Sequence, residues 1–198
     1  MMNSARQHRI GILVVLIAVV SWSSAGLFTR ILSVDVPNVL FWRGVFGALG
    51  LLFVVALLPA TGGLKAFRQL GWPGFSYAVI TAISMVFFVS ALRNTSVAHV
   101  AIITAIVPFA AAYLGWLALK EIPGRAALVA SAVALFGVII MVGINQDGHW
   151  FGDSLALVMA FCMATMILIS RKYPRIPALQ ATCLASLFSA ILVIPFLS

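Results

Sequence analysis

Apolar residues in this chain fall into seven blocks, near 10–30, 37–58, 72–92, 98–119, 125–144, 152–170 and 178–198, separated by short breaks that carry charge, Pro or Gly. Each block runs to about 19 to 23 residues, and about 20 residues of helix cross the hydrocarbon core of a bilayer. Apolar and polar residues do not alternate at period two, so a transmembrane barrel is not expected. Inside hydrocarbon the backbone must satisfy its own polar groups, and a helix does so within one segment. The pattern therefore predicts an all-α polytopic membrane protein. Its breaks are chemically marked: Pro37 opens the second helix, Pro59 with Gly62 and Gly63 closes it, and Pro123 with Gly124 separates the fourth from the fifth. The first block follows a basic N-terminus as a signal peptide would, but it is too long for a typical apolar signal core and ends without a clear cleavage site. It reads as a retained first span.

The blocks also repeat. The stretch from Gly11 to Arg30 is similar to that from Gly152 to Arg171: a Gly, a long apolar run, a small or polar pair (Ser23 and Ser24 against Ala164 and Thr165) and a terminal Arg. Thr29 matches Ser170 in the same alignment. Five spans separate the two copies, and because five is odd the second copy must enter the membrane from the opposite side. This predicts an inverted-topology repeat of five transmembrane helices, the first over 10–144 and the start of the second over 151–198. The chain stops at the edge of the seventh block, so the second repeat is expected to be truncated, with seven of an expected ten helices present.

Composition agrees with the pattern: 64% of the residues are apolar and 8% charged, and the mean hydropathy is +1.18. A soluble domain of this length carries far more ionised surface. The net charge of +8 raises nucleic acid as a partner, but the cations sit in the breaks rather than in a basic stripe, so no nucleic acid is expected. Their placement gives an orientation instead. With the N-terminus in the cytoplasm, Arg6, Arg9, Lys65, Arg68, Lys120, Arg125, Arg171, Lys172 and Arg175 lie on the inner side, while Arg30, Arg93, Asp35, Asp147 and Asp153 lie on the outer side. Cys162 and Cys183 fall within apolar blocks and read as small packing residues. No ligand cluster or nucleotide-binding motif is present, so neither a metal nor a cofactor is expected.

A family resemblance rests on Ala91-Leu92-Arg93-Asn94-Thr95-Ser96-Val97-Ala98-His99-Val100-Ala101, then Pro108, then Leu119-Lys120-Glu121. This order resembles the end of helix three and all of helix four in the EamA-type transporters of the drug/metabolite transporter superfamily. Trp22 and the small residues after it are similar to that family's first helix, Arg43 falls where an Arg is usual in the second, and Gly137 and Gly143 match glycines of the fifth. In the family an Arg often follows the Glu, whereas here Ile122 and Pro123 do. The resemblance implies ten helices, a bacterial inner-membrane location and movement of small metabolites or drugs. A small-molecule substrate and the lipid bilayer are then the expected partners, with a homodimer left open.

Seven residues are candidates for substrate binding or gating. Trp22 lies too deep for an interfacial anchor and is surrounded by Ser21, Ser23, Ser24 and Gly26, so it and Ser24 are candidates for a cavity wall, or for close packing. Arg43, six residues past Pro37, is an ionised group inside a span; it either serves a cavity or gate, with Asp35 as a near partner, or snorkels to the headgroups. Asn94 and His99 flank the turn between the third and fourth helices, and His99 is a titratable group of the kind proton coupling needs. Pro108 cannot bond back to the carbonyl of Thr104, which predicts a bend. Glu121 sits at a helix C-terminus, where the dipole disfavours a carboxylate, so Lys120 and Arg125 are expected to clasp it. Ala111, Gly115 and Ala118 of the fourth span, and Ala127, Ala130, Ser131, Ala134 and Gly137 of the fifth, form small-residue packing faces.

Minimal loops leave no room for a soluble catalytic domain, which favours transport. A membrane-embedded enzyme acting on lipid or isoprenoid substrates would need clustered carboxylates or histidines, and a non-transport structural protein would lack a polar cavity. The expected mechanism is a secondary carrier, an exporter or permease working by alternating access at the interface of the two repeats.

Overall fold

The computed structural model describes residues 11–21, 24, 31, 34–57, 62–120, 124, 128–129, 132–133, 135–136, 140 and 150–197. The chain forms two compact units, Met1–Ser33 and Val34–Ser198. The first contains helix α1, Gly11–Ser21. The second contains α2 (Val36–Leu57), a 3-10 segment (Gly63–Gln69), α3 (Gly71–Asn94), α4 (Val97–Thr104), α5 (Val107–Leu119), α6 (Trp150–Lys172), α7 (Ala178–Val193) and a short 3-10 turn (Ile194–Phe196). No strand occurs among the described residues. Segments long and apolar enough to cross a membrane are Val36–Leu57, Gly71–Asn94, Val97–Leu119, Trp150–Lys172 and Ala178–Phe196, matching the second, third, fourth, sixth and seventh blocks. The first block is described mainly over Gly11–Ser21, and the fifth, 125–144, lies mostly outside the described residues.

Local chemistry sets the helix ends. Gly62, Gly63 and Gly71 all have positive φ, which lets the chain turn tightly into and out of the 3-10 segment. Pro73 falls in the first turn of α3, where a missing N–H costs no helical bond. Ser96 caps α4 by accepting the His99 N–H at 3.1 Å. The fourth span is not one continuous helix. Near Pro108 the ladder tightens: the Ala105 N–H reaches the carbonyls of both Ala101 and Ile102, and the Ile106 N–H reaches Ile103. The helix resumes as α5 with Pro108 in its opening turn. The interruption therefore lies at Ala105 and Ile106, just before the proline, where a tighter turn absorbs its missing N–H and ring bulk.

Within the unit Val34–Ser198, α3 is central, packing on α6 and α7, while α2 packs on α7 and α5 on α6. Ala91, Leu92, Val100, Ala156 and Met159 form one core cluster, Leu40, Val89 and Val193 a second, and Ala110, Ala111 and Ala164 a third. Small residues dominate the contacts, which lets helix backbones approach closely. Three buried hydroxyls bond within their own helices, Thr81 on Tyr77, Ser186 on Thr182 and Ser189 on Ser186. The outside is the reverse of a soluble surface: Trp42, Phe46, Phe53, Trp116 and Phe161 are all exposed. Such a surface suits hydrocarbon, not water.

Candidate functional site

The turn between α3 and α4 meets the first turn of α6 through an Asp-centred cluster. The Thr95 hydroxyl donates to Asp153 Oδ1 at 2.7 Å, and His99 Nδ1 lies 3.2 Å from Asp153 Oδ2. An ionised carboxylate only accepts, so it selects the imidazole form with a proton on Nδ1. Thr95 and His99 are both buried, and Asp153 is half-buried. Because Asp153 lies in the first turn of α6, the helix dipole also favours its negative charge. The approach is close: a Cβ built on Gly152 would lie 2.6 Å from the Asn94 carbonyl carbon and oxygen and from Thr95 Cβ. Only a residue without a side chain fits there. At the same end Arg93 Nη2 donates to the carbonyl of Val34 at 2.6 Å, tying the start of α2 to the end of α3.

Arg43 lies about 10 Å along α2 at 1.5 Å per residue. Its guanidinium carbon sits 5.8 Å from the Phe88 ring centroid, a cation–π arrangement with α3. Phe88, not Asp35, faces the guanidinium; the Asp35 carbonyl instead accepts the Val39 N–H that opens α2. Phe88 also packs against the clusters around both Leu92 and Leu40. It thus connects the Arg43 region with the helix end that carries Thr95.

The remaining candidates separate. The Asn94 amide donates to the Ser90 carbonyl of its own helix, and its backbone faces Gly152. Pro108 is exposed in the first turn of α5. The Ser24 hydroxyl donates to the Ser21 carbonyl at 2.8 Å within the first unit. Trp22 and Glu121 lie outside the described residues. Among the packing residues, Ala111 and Gly115 are buried while Ala118 is exposed. Cys183 Sγ donates to the Ala48 carbonyl at 3.4 Å, so this cysteine does pack between helices.

Two partners in the cluster were not singled out from sequence. Thr95 belongs to the motif around Asn94, and Asp153 follows Gly152 in the first turn of α6. The available signal was the pairing of Gly152 with a carboxylate in the first helical turn, which marks a close, dipole-favoured joint.

The EamA-like transporter family model matches residues 9–143, well over half of the chain. The chain belongs to the EamA-like transporter family. Searches of curated proteins and of solved structures each return no match. For an EamA-like chain the exposed aromatic exterior is explained: this is an integral membrane protein of the transporter class. The five described spans fit the family's polytopic architecture, and the Thr95–His99–Asp153 joint connects the matched region to residues beyond it.

Proposed function

We propose that this chain carries the first five-helix repeat, 10–144, and the opening of an inverted second repeat, from 151, of a secondary carrier for small metabolites or amphiphilic drug-like solutes. The observation that carries this reading is the packing of α2 against α7. Leu40 packs with Val193, Gly44 abuts Ala190, Gly47 abuts Ser186, and the Ala48 carbonyl accepts from Cys183. Partner numbers fall as α2 numbers rise, so the two helices run antiparallel. Aligning Gly11 with Gly152 makes α2 and α7 equivalent helices and pairs Phe46 with Leu187, at the level where the two cross. Equivalent helices packed antiparallel about their middles are what a pseudo-two-fold axis in the membrane plane generates.

In this reading the N-terminus is cytoplasmic, the membrane is the bacterial inner membrane, and the Asp153 end faces outward. The Thr95–His99–Asp153 joint closes the outer side between the two repeats. Rocking at the α2–α7 crossing, which is lined by small residues, opens one side at a time. Trp22 and Ser24 are assigned to substrate contact in the first unit and Arg43 to substrate contact in the second, Asn94 and His99 to the outer gate, Pro108 to the bend in the fourth span, and Glu121 to an inner clasp with Lys120 and Arg125.

The test compares metabolite efflux and uptake in cells with and without the full-length gene, then repeats the responding flux with Arg43→Lys. We expect one chemical class of solute to change its distribution, and the lysine form to fold yet lose about 10-fold or more of that flux. A directed hydrogen bond to a charged partner is worth about 1.5–3 kcal/mol, and lysine lacks the planar donor fork. An unchanged solute profile at confirmed expression would overturn the carrier assignment. Full flux in Arg43→Lys would remove Arg43 from substrate contact, leaving it as a cation resting on Phe88.

A further inference from the structure

At the end opposite Asp153, a cavity of about 320 Å³ opens between the start of α3 and the link from α6 to α7. Its lining includes Gln69, Gly71, Lys172, Tyr173, Arg175 and Ile176. Two of these are cations and none is a carboxylate, so the cavity is built for an anion. Lys172 and Arg175 are both exposed, and Lys172 Nζ stands 5.7 Å from the Tyr173 ring centroid, which orients the cation while keeping its charge. Trp72, next to Gly71, is 78% exposed and stacks on Phe75 with ring centroids 6.0 Å apart. Trp and Tyr on the outside of a membrane helix end mark headgroup level.

A second opening identifies the source of the anion. Between α3 and α7 runs an apolar groove of about 310 Å³, lined by Phe75, Val79 and Ile83 on one side and Phe188 and Ile191 on the other. Gly71 lines the cavity, and Phe75 and Val79, four and eight residues further along α3, line the groove, so the groove begins about one helical turn from the cavity. A basic cavity at headgroup level, one helical turn from a wholly apolar groove, has the spacing of a phospholipid: phosphate at one end, acyl chain along the other. Free phosphate or a small acidic solute would use the first half and leave the groove unexplained.

We infer that this composite site binds an anionic phospholipid, with Lys172 and Arg175 holding the phosphate and the α3–α7 groove holding an acyl chain. It is distinct from the assigned transport path, and its occupancy is independent of whether a solute moves. Basic pockets between membrane helices are suited to such headgroups.

The chain is purified in neutral detergent and titrated with phosphatidylglycerol or phosphatidylcholine, and bound lipid is counted by native mass spectrometry. One phosphatidylglycerol is expected to remain bound under conditions that strip phosphatidylcholine. Lys172→Gln with Arg175→Gln should weaken its retention about 30-fold, on the usual worth of two basic residues at an anionic surface. Lys65→Gln with Arg68→Gln removes the same charge from the neighbouring 3-10 segment, outside the cavity, and should change retention less than about threefold. Val79→Trp fills the groove and should also weaken phosphatidylglycerol while sparing the cations. Monodispersity and helical content check that each variant folds. Equal losses in the two double variants would mean diffuse surface charge and overturn the site. Displacement of the lipid by millimolar inorganic phosphate, or full binding by Val79→Trp, would overturn the lipid assignment in favour of a free anion.

Discussion

The two ends of the unit Val34–Ser198 are built on different principles. At the Asp153 end, α6 meets the α3–α4 turn through directional bonds, Thr95 to one carboxylate oxygen and His99 at the other, over a glycine whose backbone touches Asn94. At the Lys172 end, the chain surrounds an open cavity carrying two exposed cations. Directional bonds hold one geometry and fail sharply when it shifts. Exposed charge tolerates movement, because water and headgroups follow it. The Asp153 end thus acts as a latch, and the Lys172 end stays open around its cavity. The ends can be distinguished by how steeply each responds to small changes.

The largest effect is expected at Gly152. A methyl there would stand 2.6 Å from the Asn94 carbonyl carbon and oxygen, and backbone cannot rotate out of the way. Overpacking in a close joint typically costs about 1–3 kcal/mol, and backbone on the receiving side puts this case at the upper end. Gly152→Ala should therefore purify with much lower monodisperse yield and a lower midpoint of thermal unfolding in detergent. A wild-type midpoint would mean that the Asp153 end is as yielding as the other, and the contrast would fail.

Next in size is the carboxylate itself. Asp153→Ala removes the acceptor from both Thr95 and His99, two buried side chains that then lack this partner. A buried hydrogen bond to a charged group contributes about 1.5–3 kcal/mol, but Asp153 is only half-buried and water replaces part of what it accepts, so the unfolding midpoint should fall clearly, though less than in the glycine variant. Asp153→Asn keeps the shape and still accepts from Thr95, and should recover part of the loss. A cycle of His99→Gln and Asp153→Asn separates the pair from its surroundings: a coupling of about 0.5 kcal/mol or more marks a working bond, and strict additivity would remove His99 from the latch.

Sequence and structure agree where one strong signal acts. The spans from Val36, Gly71, Val97, Trp150 and Ala178 were legible because hydrocarbon demands about twenty apolar residues in a row, and little else produces that pattern. Family membership was legible through the ordered motif from Ala91 to Glu121. Contacts across helices were not. Asp153 is far from Thr95 and His99 in the chain, and a carboxylate near a break looks the same solvated or bonded. Arg43 could be placed by depth, but its partner could not, since any aromatic on a neighbouring helix would serve; proximity in sequence suggested Asp35, and packing supplied Phe88. Pro108 signalled an interruption correctly, yet the tightened turn falls at Ala105 and Ile106, because the helix adjusts ahead of the residue that disturbs it.

The smallest effect, and the sharpest control on the first, is expected at Gly115, the glycine of α5 that faces α6 near the Lys172 end. It is buried like Gly152, and both lie on a helix packed against another element. The space around it differs. A Cβ at Gly115 would find Arg171 Nη1 at 3.9 Å, an ordinary contact, and that atom ends a long side chain that can move. Within a helix, Ala is favoured over Gly by about 0.5–1 kcal/mol because glycine loses more backbone freedom on folding. Gly115→Ala should therefore leave the unfolding midpoint unchanged or raise it slightly, while Gly152→Ala lowers it. The two substitutions are chemically identical, so any difference reports the joints rather than the residue. A loss at Gly115 as large as that at Gly152 would show that the Lys172 end is held by backbone contact as close as the latch, and the reading of one rigid end and one open end would be withdrawn.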